Sequence, residues 1–411
     1  MVRGMKKLGP WPRIEALHIT NFRALREVHF RDLTPLTVLV GPNGSGKSTV
    51  LDALSFLSAA VQSGLRDTWN NWGRGREIRT RGQDGWICLA LSYREDANTG
   101  PISYSIKIGE VDGSPEVIEE YLSMGAPGTA NPDYLFHYKN GVDSVYIQDT
   151  RQRTQVNTNP RLRSADIIAV SSLGQLADNP RIAALREFIT NWHVSEFSAV
   201  DARGFPNAGP REHLSRTGEN LANVVQYLSQ QHPDHLGYIF RMLVDQVPRL
   251  EKVLAEEMAD GRLLLRFKDA PFNDPILARF ASDGTLKLLA YLVLLHDPAP
   301  PPLIGIEEPE NYLHPRLMHP LAEVFRNASG QSQLLVTSHS PYFLNGLHPD
   351  EVRVLYRDEH GHTQVKLVAD IEGIREFVEH GGLLGDLWME GHFNVGDPLS
   401  NSGMPRLAPK R

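Results

Sequence analysis

The clearest pattern is an apolar, β-branched run, Leu36-Thr37-Val38-Leu39-Val40. It ends in glycines and is followed over residues 48–61 by apolar positions at helical spacing, Val50, Leu54, Leu57 and Val61. Strand, loop and helix are predicted in that order. Upstream, residues 14–20 and 27–30 read as short strands on either side of Asn21-Phe22-Arg23, forming a sheet that supports the loop. The pattern breaks over residues 64–85, where Trp69, Trp72, Arg74, Arg76, Arg79 and Arg81 lie among glycines and polar residues, and a solvated loop is expected. From Trp86 to about Gln148, alternating segments such as residues 102–108 predict antiparallel strands in a β-rich insert. Residues 167–175 return to the apolar core. Helical patterns over 218–230 and 236–247 precede strand-like segments at 253–258 and 262–268, and no heptad register supports a long coiled coil. An apolar helix then follows Ser282, and buried strands end at Glu307 and Thr337.

The loop Gly41-Pro42-Asn43-Gly44-Ser45-Gly46-Lys47-Ser48-Thr49 fits Gly-x4-Gly-Lys-Ser. Its glycines let successive N–H groups converge on phosphate oxygens, and the helix adds about half a positive charge at its N-terminus. Residues 43–49 are therefore the expected nucleotide cradle. Lys47 would reach the β- and γ-phosphates, and the Ser48 hydroxyl would complete a magnesium shell, so ATP and Mg2+ are the expected ligands. Arg23 either sits near the nucleotide or is a solvated turn residue.

Leu303-Ile304-Gly305-Ile306-Glu307-Glu308 delivers two consecutive carboxylates at a strand end. Glu307 can order the metal shell and Glu308, on the opposite side, can polarise the attacking water. His339, after the strand that ends at Thr337, can bond a γ-phosphate or hold that water. Gln175, where a loop leaves the core, is either a magnesium-sensing glutamine or a surface residue. Ser282 is a good N-cap.

Of 411 residues, 41% are hydrophobic and 22% charged, which describes an ordinary globular chain of two or three domains. Net charge is −7, so any nucleic-acid surface must be local. The arginines at 74–81 and a second group, Arg151, Arg153, Arg161 and Arg163, are the candidates, with solvated loops the plainer reading. A single cysteine, Cys88, excludes an internal disulfide framework. No run approaches the roughly 20 apolar residues of a membrane span. No signal peptide is apparent, and a cytoplasmic location is expected.

Together, Gly41 to Ser48, Ser282 to Gly284, Glu307 to Glu310 and Thr337 to Pro341 resemble the ABC-type ATPase heads of the SMC, RecF and OLD group. The closest likeness is to single-chain ATPases labelled AAA-type and associated with repair or phage defence. The resemblance implies an α/β P-loop NTPase fold, an ABC-type ATPase head with a β-rich antiparallel subdomain and a helical subdomain. It also implies an ATP-dependent homodimer in which Ser282 and Gly284 contact the γ-phosphate bound by the other subunit. The expected divisions are a discontinuous core (14–63, 165–205 and 275–357), a β-rich insert (64–164), a helical and strand insert (206–274), a C-terminal extension (358–395) and a mobile tail (396–411). The signature Ala-Ser-Asp-Gly lacks the second glycine and glutamine of transporters, and Glu307 replaces the usual aspartate. Too few residues follow Tyr356 for the TOPRIM domain of OLD nucleases, so a nuclease would be a separate chain. The expected function is ATP hydrolysis coupled to sensing or handling double-stranded DNA. The alternative is a nucleotide-gated scaffold that holds an effector and turns over slowly.

Overall fold

The computed structural model describes residues 11–126, 133–139, 147–148, 155–156 and 162–396. Its centre is a six-stranded sheet in the order His193–Ser195, Leu303–Glu307, Gln333–Ser338, Leu36–Val40, Val352–Arg357, Thr363–Leu367. The first five strands are parallel and only the last is antiparallel. Leu36–Val40 and Gln333–Ser338 are buried at every position, because a parallel sheet is covered on both faces. Leu39, Leu303, Leu335 and Leu355 pack into the same core as the helix Lys47–Ser63. Their neighbours Val38, Ile304, Ile306 and Val336 join the opposite core, with the helices Asp283–Leu295 and Met318–Ala328.

A second six-stranded sheet runs Leu25–Phe30, Arg13–Phe22, Ile87–Arg94, Ile102–Val111, Ser114–Met124, Asp133–Lys139, all antiparallel. The β-rich segment thus continues the N-terminal hairpin, because Arg13–Phe22 pairs on its free side with Ile87–Arg94. Leu17, Ile19, Leu89, Leu91 and Ile106 of this sheet share the core of the helix Lys47–Ser63. Alternation turns His18, Thr20, Cys88 and Ser105 to the other face.

Residues 64–85 correct the expectation of a solvated loop. They hold two short helices, Leu65–Asn71 and Arg74–Ile78, because Leu65, Trp69 and Ile78 are buried against the core. Trp72 packs edge-on against Phe56 with ring centres 5.6 Å apart. Trp69 is therefore a buried packing residue, unavailable for stacking on bases, and Trp72 is half-buried. Residues 167–175 contain the helix Ala169–Leu173, whose first amides donate to the buried Glu120 carboxylate, Ala169 at 2.5 Å and Val170 at 3.0 Å.

The helices Leu221–Gln231 and Pro233–Gln246 lead into a three-stranded sheet, Leu250–Glu257, Leu263–Asp269 and Ile276–Leu277, close to the expected segments. Near the C-terminus, Leu384–Met389 packs on Pro341–Leu344, and the Gly385 amide donates to Asn345 Oδ1 at 2.7 Å. Arg151, Arg153, Arg161 and the tail from residue 397 lie outside the described residues, and Arg163 is exposed. Among the described residues no helix is long and apolar enough to cross a membrane.

Candidate nucleotide site

The carboxyl ends of the parallel strands bring the loop after Leu36–Val40, the acids after Leu303–Glu307 and the histidine after Gln333–Ser338 to one edge, where open α/β sheets place ligands. Gly41 turns the chain out of its strand at φ +143°, and a Cβ there would lie 2.0 Å from the Leu355 carbonyl oxygen. Only glycine fits. Gly46, at φ +99°, precedes the first helical residue, Lys47.

Lys47 is buried, and its ammonium donates to the carbonyls of Gly41 at 2.9 Å and Pro42 at 3.1 Å. Burial lowers its pKa to about 8 against the opposing pull of Glu308, Glu310 and Glu307. Asn43, Gly44 and Ser48 are exposed, Thr49 is half-buried, and Ser45 and Gly46 are buried. Among the described residues the Ser45 hydroxyl has no hydrogen-bond partner. Arg357 closes the outer side of the loop by donating from Nε to the Gly44 carbonyl at 2.7 Å.

Glu307 ends its strand near the Ser48 hydroxyl, which favours its charged form. Burial, then the nearby Asp52 charge, raises its pKa. Glu308 takes a left-handed backbone at φ +41°, so the two carboxylates diverge. Its amide donates to the Thr337 carbonyl at 3.0 Å, and its carbonyl accepts from Lys287 Nζ at 2.9 Å. One carboxylate oxygen lies 3.2 Å from His339 Nε2, and the other accepts from Asn311 Nδ2 at 2.8 Å. His339 is held below its ordinary pKa by burial and then by Lys47, against Glu308 and Glu310. Glu310 accepts from Ser338 Oγ at 2.9 Å and the His339 amide at 2.5 Å, while its other oxygen is buried without a partner among the described residues.

This donor set fits a magnesium nucleotide. Ser48 Oγ and the Glu307 carboxylate are hard oxygens that act on one another, and the carboxylates gathered around Lys47 leave negative charge that a divalent ion would neutralise.

Gln175 falls elsewhere. Gln175 is exposed, and its amide donates to the Ser171 carbonyl at 2.9 Å. Ser171 in turn bonds the Val61 carbonyl at 2.8 Å, at the far end of the helix from Ser48 and about 20 Å away at 1.5 Å per residue. The structure does not bring Gln175 to the metal-binding groups. The strand beside Leu303–Glu307 is His193–Ser195, and the residue leaving it is Glu196, whose charge acts on Asp52 and Glu307. Arg23 pairs with Asp52 of the loop's helix and borders a cleft of about 610 Å³ that Arg76, Arg79, Arg81, Arg357, His360 and His362 also line.

Ser282 caps its helix by accepting from the Thr285 amide at 3.1 Å and is exposed. Gly284 lies so close to the Tyr312 carbonyl that a Cβ would approach it to 2.5 Å. No hydrogen bond of either residue reaches the phosphate loop among the described residues. Sequence reasoning missed Lys287 and Glu196, and it placed Glu310 in the motif without giving it a role. The signal for Lys287 was a lysine inside an otherwise apolar helical run, where burial is expected only with a partner.

Residues 114–345, more than half of the chain, match the family model described as "AAA domain, putative AbiEii toxin, Type IV TA system", and residues 13–76 match one described as "AAA ATPase domain". The chain is 30% identical over 136 residues to the DNA replication and repair protein RecF of Myxococcus xanthus, covering 32% of this chain and 34% of that one. It is 42% identical over 53 residues to the OLD nuclease of Thermus scotoductus, 13% of this chain and 10% of that one. It thus spans about a third or less of these relatives' length. A crystal structure of the SmcHead bound to the C-winged helix domain of ScpA shares the fold, with a TM-score of 0.52 at 14% identity over 86% of this chain and 97% of that one. This chain therefore belongs to the family described as "AAA domain, putative AbiEii toxin, Type IV TA system".

Proposed function

We propose that this chain binds ATP with magnesium at residues 41–49 and hydrolyses it, with Glu308 as the base. The observation that carries this reading is the Glu308 carboxylate, held between His339 and Asn311 at the same sheet edge as Lys47 and the Ser48–Glu307 pair. Lys47 exchanges its two carbonyl partners for β- and γ-phosphate oxygens. Glu308 takes a proton from water as the water oxygen bonds the γ-phosphorus and the bond to the β,γ-bridging oxygen breaks, releasing ADP and phosphate. His339 holds the water or a γ-phosphate oxygen. When bound, magnesium spreads the charge developing on the phosphate oxygens, and Ser48 and Glu307 would hold it.

The exposed start of the helix Asp283–Leu295 supports a composite site in a homodimer, with Ser282 and Gly284 of one copy meeting the γ-phosphate of the other. The exposed Arg76 and Arg81, in the cleft with Arg357, His360 and His362, support contact with a polyanion, and we assign it to double-stranded DNA in repair or anti-phage defence in the cytoplasm. The alternative, a nucleotide-gated scaffold for an effector such as a separate nuclease, is favoured by exposed Phe377, Leu383 and Met389 on the C-terminal extension.

The test is steady-state ATP hydrolysis with and without linear double-stranded DNA at low salt. Stimulation is the expected result, slow turnover indifferent to DNA would favour the scaffold, and no turnover would overturn the ATPase reading. In the same preparation, Ser282→Arg should leave ATP binding intact and abolish ATP-dependent dimers in light scattering. Dimers that persist would remove the composite site.

A further inference from the structure

On the open face of the antiparallel sheet, far along the hairpin from its turn, His18 and His29 stand directly opposite one another across two paired strands. Thr20 and Glu27 form the next pair but one along the ladder, so the period of two places all four side chains on one face. The two imidazoles stack with centres 3.8 Å apart and planes 16° from parallel. Both Nε2 atoms approach the same Glu27 oxygen, His18 at 3.7 Å and His29 at 3.4 Å. One ligand atom from each of the three residues lies within 4.8 Å of the others.

We propose that His18, Glu27 and His29 form a binding site for a zinc-class transition-metal ion, separate from the magnesium nucleotide site. Two imidazole nitrogens and one carboxylate oxygen make a donor set that suits zinc and its neighbours in the first transition row and disfavours magnesium or calcium, which take oxygen ligands. A tetrahedral ion with ligands at about 2.0–2.1 Å needs its donor atoms roughly 3.3 Å apart. The donor atoms, now within 4.8 Å of one another, close to that spacing through χ rotation of the two rings out of their stack and of the exposed glutamate. Thr20 Oγ1, 3.0 Å from His18 Nε2, is the hydroxyl that the ion would displace from that nitrogen.

Three protein ligands leave a coordination position open. It faces a groove of about 680 Å³ across the sheet, lined by Cys88, Ser105, Lys107 and Tyr121 as well as by both histidines. Water or a small anion would complete the shell there. The ion would also tie together the two strands whose turn holds Arg23 against Asp52.

The experiment is calorimetric titration of the full chain, free of any affinity tag, with zinc in magnesium-containing buffer without ATP. Cobalt(II) provides a second readout through its visible absorption. One saturable zinc per chain is expected, with the absorption of a tetrahedral cobalt site. His18→Ala and His29→Ala should each weaken binding by about 100-fold or more, beyond the cost of losing an outer-shell partner, and Glu27→Gln should weaken it less. Lys47→Met should leave zinc binding unchanged, which separates this site from the phosphate loop. Glu27 and His29 are exposed and His18 is half-buried, and unchanged far-UV circular dichroism checks that the variants fold. Absence of saturable binding, or binding in the His18→Ala, His29→Ala double variant equal to that of the natural chain, would overturn the proposal.

Discussion

Two helix starts in this molecule carry a buried lysine, and they use it differently. Lys47 opens the helix after the phosphate loop, and Lys287 sits in the second turn of the helix that Ser282 caps. Burial lowers both to about 8, and both ammonium groups donate to backbone carbonyls. The carbonyls that Lys47 holds belong to its own glycine loop, which is open to solvent at Asn43 and Gly44, so an incoming phosphate can replace them. Lys287 instead fixes the carbonyl of Glu308, a residue already in a left-handed backbone, and lies near the Tyr291 and Tyr312 rings. The same buried charge thus serves as a ligand-reaching group in one place and as a positioning group in the other.

The acid between them should show the largest effect. Glu308→Gln keeps the shape and the Asn311 contact but removes the base, so hydrolysis should slow by about 10²–10⁴-fold while ATP binding persists. Single-turnover kinetics with a separate binding titration would check this. Near-normal turnover would take Glu308 out of that role and dissolve the contrast.

The lysines themselves come next. Lys47→Met should weaken ATP binding by roughly 10–100-fold, the worth of one or two charge-assisted hydrogen bonds. Lys287→Met should leave ATP affinity in place and lower kcat by about tenfold, through one lost hydrogen bond to the Glu308 backbone. Fluorescent-nucleotide binding alongside turnover separates the two outcomes. Equal loss of binding in both variants would mean that Lys287 also reaches the nucleotide.

The smallest effect sharpens the comparison through pH. As pH rises through about 8, Lys47 loses its charge, and ATP affinity should fall by at most about tenfold per unit above that point. Lys47→Met should flatten this dependence and Lys287→Met should not. Stability moves the other way. Both lysines have folded pKa values below the ordinary 10.5, so the unfolded chain binds more protons between about 8 and 10.5, and their contribution to stability rises with pH across that window.

Where the chemistry is written in adjacent residues, it was readable. Gly41 to Ser48 form one strand exit and one helix start, and Glu307-Glu308 and His339 each follow a short buried strand, so local patterning places them at strand ends. Gln175 was misplaced because an apolar run followed by a polar residue looks the same whether it leaves a strand or a helix. Only the parallel pairing of His193–Ser195 with Leu303–Glu307 shows that Glu196 is the residue delivered beside Glu307. The helices at residues 65–78 were hidden by glycines and arginines, and burial of Trp69 against the core overrode that composition.

By itself, then, the sequence determined the phosphate loop, the order of the acids and the histidine, and the class of fold, because each depends on residues close in the chain whose period and turn chemistry act locally. The tertiary structure alone decided that Lys287 holds the Glu308 carbonyl, that Glu310 fastens the His339 amide, that the β-rich segment continues the N-terminal hairpin, and that His18 faces His29. Those contacts depend on strand register and on which buried polar groups must find partners, and both are settled only when the two cores close around the parallel sheet.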